Sequence, residues 1–167
     1  MGYQQHKELS PNTITCGVVI VSDSRNLSSD ESGKLICHMM EEKGHRISDF
    51  KLIKNDAGLI KETLFGFIGQ PETQMVITSG GTGLSHRDIT VETVAALLEK
   101  KMDGFGELFR SLSYQEIGTG CIMSRAQAGI IQGKVIISLP GSVAAVRLAM
   151  EKIILPELGH MVREAVR

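Results

Sequence analysis

Thr13-Ile14-Thr15-Cys16-Gly17-Val18-Val19-Ile20-Val21-Ser22 is a mostly apolar, β-branched run with polar residues on both sides. A run of that length and composition reads as a buried strand. The loop Asp23 to Asp30 follows, and then Leu35, Ile36, Met39 and Met40 recur at helical spacing until Gly44 ends the pattern. The alternation repeats downstream. Arg46 to Ile53 reads as a second strand, Leu59, Ile60, Thr63, Leu64, Phe67 and Ile68 mark one face of a helix, and Gln74 to Ser79 reads as a third strand. Strands alternating with helices predict parallel pairing through right-handed crossovers, hence an α/β domain whose mostly parallel sheet is covered on both faces. Ligands of such sheets gather at the carboxyl ends of the strands.

Further along, Val91 to Leu98 and Glu107 to Ser113 read as helices, and Gly129 to Gln132 and Lys134 to Leu139 as short strands. Pro140-Gly141-Ser142 breaks the chain. Beyond it, Val146, Met150, Ile153, Ile154, Leu158, Met161 and Ala165 predict a long C-terminal helix with a bend at Pro156. No internal repeat or linker interrupts the pattern. Residues 1–12 read as a flexible tail ahead of one domain at 13–167.

Composition narrows the function classes. The 167 residues carry a formal net charge of −1, no Lys/Arg run exceeds two, and aromatics make up 4%. A nucleic-acid binder calls for a basic face and stacking platforms, so neither nucleic acid nor a membrane is an expected partner. No apolar run approaches the roughly 20 residues that span a bilayer. The N-terminus is too polar for a signal peptide, and His6 stands where a myristoylation motif wants Ser or Thr. Cys16, Cys37 and Cys121 form no Cys-x-x-Cys or zinc pattern and read as reduced thiols. The expected location is the cytoplasm.

Three strand ends carry chemistry: Ser22-Asp23-Ser24-Arg25, the loop Ser79 to Thr90 (Ser-Gly-Gly-Thr-Gly-Leu-Ser-His-Arg-Asp-Ile-Thr), and Leu139-Pro140-Gly141-Ser142. In a parallel sheet all three leave the same edge, and together they outline an anion pocket. Gly80, Gly81 and Gly83 let a phosphate approach the main chain, and Ser79, Thr82 and Ser85 add hydroxyl donors. Turn geometry alone accounts equally well for the glycines. Arg87 offers a fork for phosphate oxygens or a brace for the loop. Asp88 beside a bound phosphate is repulsive unless a cation lies between them, which points to Mg²⁺. Asp56, taken alone, is a turn residue or helix N-cap. By topology it leaves the same edge as Asp88, so two carboxylates from separate loops can share one metal. His86 reads as a solvated loop residue, and His86-Arg87-Asp88 lacks the other motifs of a kinase. No G-x-x-x-x-G-K-[ST] or complete G-x-G-x-x-G is present.

Taken in order, these motifs resemble the molybdenum-cofactor biosynthesis family that includes molybdopterin adenylyltransferase and the similar protein B. The likeness rests on Val21-Ser22-Asp23-Ser24-Arg25, Asp30-Glu31-Ser32-Gly33-Lys34, Gly80-Gly81-Thr82-Gly83 with Arg87-Asp88-Ile89-Thr90, Gly104-Phe105-Gly106-Glu107, Met123-Ser124-Arg125 and Leu139-Pro140-Gly141-Ser142. It covers about residues 13–165. The resemblance implies a three-layer α/β/α molybdopterin-binding fold assembling as a homotrimer or homohexamer. It further implies a nucleotidyltransferase that moves AMP from Mg-ATP to the terminal phosphate of molybdopterin and releases pyrophosphate. The product would pass to a downstream metal-insertion enzyme. Carried over by motif, Asp56 and Asp88 are the acidic pair for metal binding and catalysis. Gly80 to Gly83 match the phosphate loop, and Pro140, Gly141 and Ser142 match part of the ligand-binding edge; Ser22, Asp23, Ser24, Ser79, Arg87 and Ser124 are the further candidate binding residues. A non-catalytic pterin-binding or carrier protein of the same fold is the alternative. Two departures stand out: Val91 and Asp103 occupy positions where the family usually has Pro.

Overall fold

In the computed structural model, which describes residues 10–167, the quoted apolar run forms β1 (Thr15–Val21). It is followed by α1 (Ser32–Glu42), β2 (Arg46–Ile53), α2 (Ala57–Ile68) and β3 (Met75–Ser79). The expected tail lies mostly outside the described residues. Of its described part, the carbonyl of Pro11 lies 2.9 Å from the point where a Cβ on Gly159 would stand.

The second half runs through α3 (Thr90–Ala95), β4 (Lys100–Lys101), α4 (Asp103–Ile117), a 3₁₀ turn (Gly118–Met123), β5 (Gln127–Ile131) and β6 (Lys134–Leu139). It closes with α5 (Val143–Ala149), a π-helical segment (Met150–Ile154) and α6 (Leu155–Ala165). The sheet order is β2-β1-β3-β6-β5-β4. Strands β2, β1, β3 and β6 are parallel, while β5 and β4 pair antiparallel at one edge. The mostly parallel α/β architecture is therefore present.

Side-chain alternation along β1 sorts the helices into two layers. Cys16, Val18 and Ile20 face the larger core, with Ile36 and Met40 of α1, Phe105 and Phe109 of α4, and Val146 and Leu158 of α5 and α6. Val19 and Val21 face the smaller core, with Ile60, Leu64 and Phe67 of α2 and Val94 of α3. Gly17 has a packing reason to lack a side chain. A Cβ there would lie 2.5 Å from the Phe67 ring, so the glycine lets α2 settle onto the sheet.

Three elements depart from the sequence reading. The two-residue β4 is too short to show periodicity, and its exposed Lys100 and Lys101 suit an edge strand that must not recruit another chain. Helix α4 starts at Asp103 rather than Glu107, through two glycines that propensity disfavours. Burial of Phe105 outweighs that cost, and Gly106 lets the helix approach Ala126, whose carbonyl would lie 2.7 Å from a Cβ. In the C-terminal helix the irregularity precedes Pro156. The widened turn at Met150–Ile154 accommodates the missing N–H and the proline ring, which then sits in the first turn of α6.

Topology also places the site. The chain leaves β1 toward β2 on one side and leaves β3 toward β6 on the other. Adjacent strands whose connections diverge open a crevice at their carboxyl ends. The loops after β1, β3 and β6 all lie at that edge.

Candidate functional site

A cleft of about 670 Å³ occupies this crevice. Its polar half is lined by Ser22, Asp23, Ser24 and Arg25 after β1, by Gly80 to Gly83, Ser85, Arg87 and Asp88 after β3, and by Pro140, Gly141 and Ser142 after β6. Ser124 also lines it. The three strand ends thus share one cavity. Ser79 does not line it; its buried hydroxyl donates to the Pro140 carbonyl at 3.2 Å and ties β3 to the β6 loop.

The glycine loop has a defined backbone. Gly80 has φ +100 and donates its N–H to the Leu139 carbonyl at 3.0 Å. A Cβ on it would stand 2.2 Å from the Val21 carbonyl oxygen. Gly81, with φ +63, backs onto Thr90 Oγ1 and Asn55 Oδ1, and the Thr90 N–H donates to the Gly81 carbonyl at 3.0 Å. At Gly83 the missing side chain makes room for the Asp88 carboxylate, whose Oδ2 lies 2.6 Å from the point a Cβ would occupy. The N–H groups of Gly81, Thr82 and Gly83 donate to no acceptor among the described residues. Three successive free donors in a cleft are an anion cradle.

Asp88 and Asp56 have different fates. Neither carboxylate oxygen of Asp88 accepts a hydrogen bond from a described residue, and the side chain lines the cleft. Asp56 is the N-cap of α2: its Oδ1 accepts the Leu59 N–H at 2.9 Å, and it is not among the lining residues. The structure does not bring it into the cleft beside Asp88. The physical reason is local, because an Asp one residue before a helix satisfies an otherwise orphan donor. Asn55 takes the wall position instead. Its N–H donates to Asp23 Oδ1 at 3.0 Å and its side-chain amide donates to the Arg87 carbonyl. Among the described residues no group of three or more His, Cys, Asp or Glu gathers as a metal centre.

Two arginines inside the recognised motifs hold the loops. Arg25 donates to Ser32 Oγ at 2.8 Å and to the Gly141 carbonyl at 2.7 Å, and it lies 3.5 Å from the fully buried Asp30. Asp30 in turn accepts the Gly33 N–H at 3.0 Å and so fixes the start of α1. Arg125 donates to the carbonyls of Thr82 at 2.9 Å, Gly83 at 2.6 Å and Asp88 at 3.2 Å. It also pairs with Glu92, whose carboxyl it holds below the usual range through that hydrogen bond. Arg125 thus engages loop carbonyls, while the N–H groups of Gly81, Thr82 and Gly83 keep no acceptor among the described residues. The carbonyl partners of both arginines are not legible from spacing, since Gly141 lies 116 residues from Arg25, and Thr82, Gly83 and Asp88 lie 37 to 43 residues from Arg125.

The other half of the cleft is apolar: Phe109, Ile117, Met123, Ala144, Ala145 and Leu148, with Ser113 and Glu116 of α4 among them. The sequence reading assigned none of these to the site. Their signal is the helical spacing of Phe109, Ser113 and Glu116, which puts them on one face of α4.

Comparison with known proteins agrees with the fold. Residues 17–160 match the model of the probable molybdopterin binding domain. The chain is 44% identical over 168 residues to molybdenum cofactor biosynthesis protein B of Halalkalibacterium halodurans, covering 100% of this chain and 99% of that protein. It is likewise 44% identical to the protein of that name from Bacillus subtilis, covering 98% and 97%. Among solved structures, a molybdenum cofactor biosynthesis protein B superposes with a TM-score of 0.90 at 44% identity, covering 93% of this chain and 98% of the other. The tungsten cofactor synthesizing protein MoaB from Pyrococcus furiosus superposes with a TM-score of 0.86 at 37% identity, covering 95% and 100%. No helix of the described residues is long and apolar enough to cross a membrane. The chain belongs to the molybdopterin-binding-domain family of molybdenum cofactor biosynthesis proteins, in the company of its protein B members.

Proposed function

We propose that the cleft binds molybdopterin and ATP and transfers AMP to the terminal phosphate of the pterin, releasing pyrophosphate. The observation that carries this reading is the cradle of free N–H groups at Gly81, Thr82 and Gly83, set against the unpaired carboxylate of Asp88. A phosphate oxygen of molybdopterin attacks the α-phosphorus of ATP, and the bond to the β-phosphate oxygen breaks. The nucleophile is a phosphate monoester with a second pKa of about 6, already dianionic at neutral pH, so no general base is needed.

The obstacle is charge, since two polyanions must meet in line. Loop N–H donors and Arg87 offset the repulsion, while the strand ends of β1 and β6 align the reacting groups. Asp88 suits Mg²⁺ presented with nucleotide phosphates, because such ions are commonly held by one or two carboxylates and otherwise keep water. A bound Mg²⁺ supplies charge neutralisation at the phosphates. Asp56 has one carboxylate oxygen engaged by the Leu59 N–H and does not line the cleft, which makes Asp88 the principal carboxylate of this reading.

That placement of Asp56 also favours a second reading, a pterin-binding carrier without turnover. Incubating the purified protein with Mg-ATP and molybdopterin, and following pyrophosphate and adenylylated pterin, separates the two. Tight pterin binding without product removes the enzyme and leaves the carrier.

Asp56 gives a sharper check. Asp56→Ala is expected to cost about 1 kcal/mol through loss of the N-cap, read as a lower urea midpoint. Asp56→Ser retains a capping oxygen and is expected to hold stability. Turnover retained in the Ser variant confines Asp56 to the cap; turnover lost in a stable Ser variant returns its carboxylate to the chemistry.

A further inference from the structure

Helix α4 sends Ser113 and Glu116 into the apolar half of the cleft, beside Phe109, Ile117 and Met123. Glu116 has no structural occupation. No described residue pairs with it in an ion pair or hydrogen bond, and it stands in the last turn of α4, which contains no basic residue. A carboxylate there opposes the negative end of the helix dipole, where a cation is the favoured occupant. Around it, Ile117 and Met123 are 64% and 60% exposed, so apolar surface remains open to a flat ring.

Resting on the proposed binding of a pterin, we infer that Glu116 recognises the amino-pyrimidinone edge of that ring and sets the ring specificity of the site. A 2-amino-4-oxopteridine presents two adjacent donors, the N3–H and the 2-amino group, which match the two oxygens of a carboxylate. Adenine offers one donor beside an acceptor nitrogen on its corresponding edge, so the same carboxylate repels half of it. Discrimination of this kind is large because a mismatched edge leaves a polar group desolvated and unpaired. The arrangement orients the ligand as well: the ring lies along α4 and its phosphate-bearing end points toward Gly81 to Gly83. Asp23 and Asp88, the other lining carboxylates, belong to the strand-end loops after β1 and β3, whereas Glu116 comes from α4 with Phe109 and Ile117.

The test is direct binding of two small probes, pterin (2-amino-4-oxopteridine) and lumazine, its 2,4-dioxo analogue, followed by their fluorescence. Both lack a phosphate tail, so the assay reads the ring end alone. The full-length protein is expected to bind pterin at least about tenfold more tightly than lumazine, the value of one charge-assisted hydrogen bond. Glu116→Gln and Glu116→Ala are expected to erase that preference. Because the residue is exposed and unpaired, thermal midpoints of both variants should match the parent. Equal binding of the two probes by the parent, or an unchanged preference in the variants, overturns the role of Glu116 while leaving molybdopterin binding intact. Failure of the parent to bind either probe removes the ring site and this inference, whereas failure to bind molybdopterin itself removes the pterin reading.

Discussion

Asp88→Asn is expected to lower adenylylation at least about 100-fold, the scale seen when one preorganised electrostatic group is removed, while molybdopterin affinity changes less than about threefold. The substitution keeps size and shape and removes only charge. Nothing in the fold depends on that charge, because the carboxylate oxygens accept no hydrogen bond from described residues. The backbone at this position is held independently, by the Ser85 carbonyl at 2.9 Å and by Arg125 on the Asp88 carbonyl. The loop should therefore keep its geometry in the variant. Steady-state turnover measured beside equilibrium pterin binding separates the two quantities. A parallel fall in both would make Asp88 a structural residue of the loop.

Gly80→Ala is expected to destabilise the protein by about 3 kcal/mol, at the upper end of the cost of a forced left-handed residue. Two effects coincide at this glycine. Its φ of +100 lies where side chains are disfavoured, and the added methyl carbon meets the Val21 carbonyl oxygen at 2.2 Å. Relief requires β1 and β3 to separate at the edge where the ligand loops leave, so phosphate binding should fail together with stability. Urea unfolding with an unchanged slope and a lowered midpoint is the measurement. Gly66→Ala in α2 serves as the control. Nothing lies within 4 Å of a Cβ there, and the change should raise stability by up to about 1 kcal/mol. A Gly80→Ala protein as stable as its parent would mean that the loop backbone is more compliant than its contacts imply.

Much of the framework is legible along the chain because the signals are local. The β-branched run at β1, the helical repeat through Ile36 and Met40, and the Gly-rich turn after β3 each depend on neighbours a few residues apart. The loops carrying Ser22, Gly80 and Pro140 follow from the same signals, because a parallel sheet sends its strand ends to one edge. Helix α4 is less legible. Its first turn contains Gly104 and Gly106, and the burial of Phe105 that outweighs their weak propensity is decided by β5 and the helices packed beside it. Two-residue β4 exists only because Gly129 and Ile130 of β5 pair with it.

The sequence by itself determined the alternation of strands and helices, the sheet edge that holds the site, and the glycine loop with its adjacent Asp88. These are properties of short stretches, set by period and turn chemistry. Tertiary structure alone shows that Asp56 caps α2 through the Leu59 N–H and that Asn55, its neighbour, takes the place on the cleft wall. It likewise decided that Arg25 and Arg125 brace loops distant in the chain, and that Phe109, Ser113 and Glu116 complete the cleft. Those outcomes depend on which surfaces meet when α4 and the strand-end loops close over the sheet, and no local pattern records that meeting.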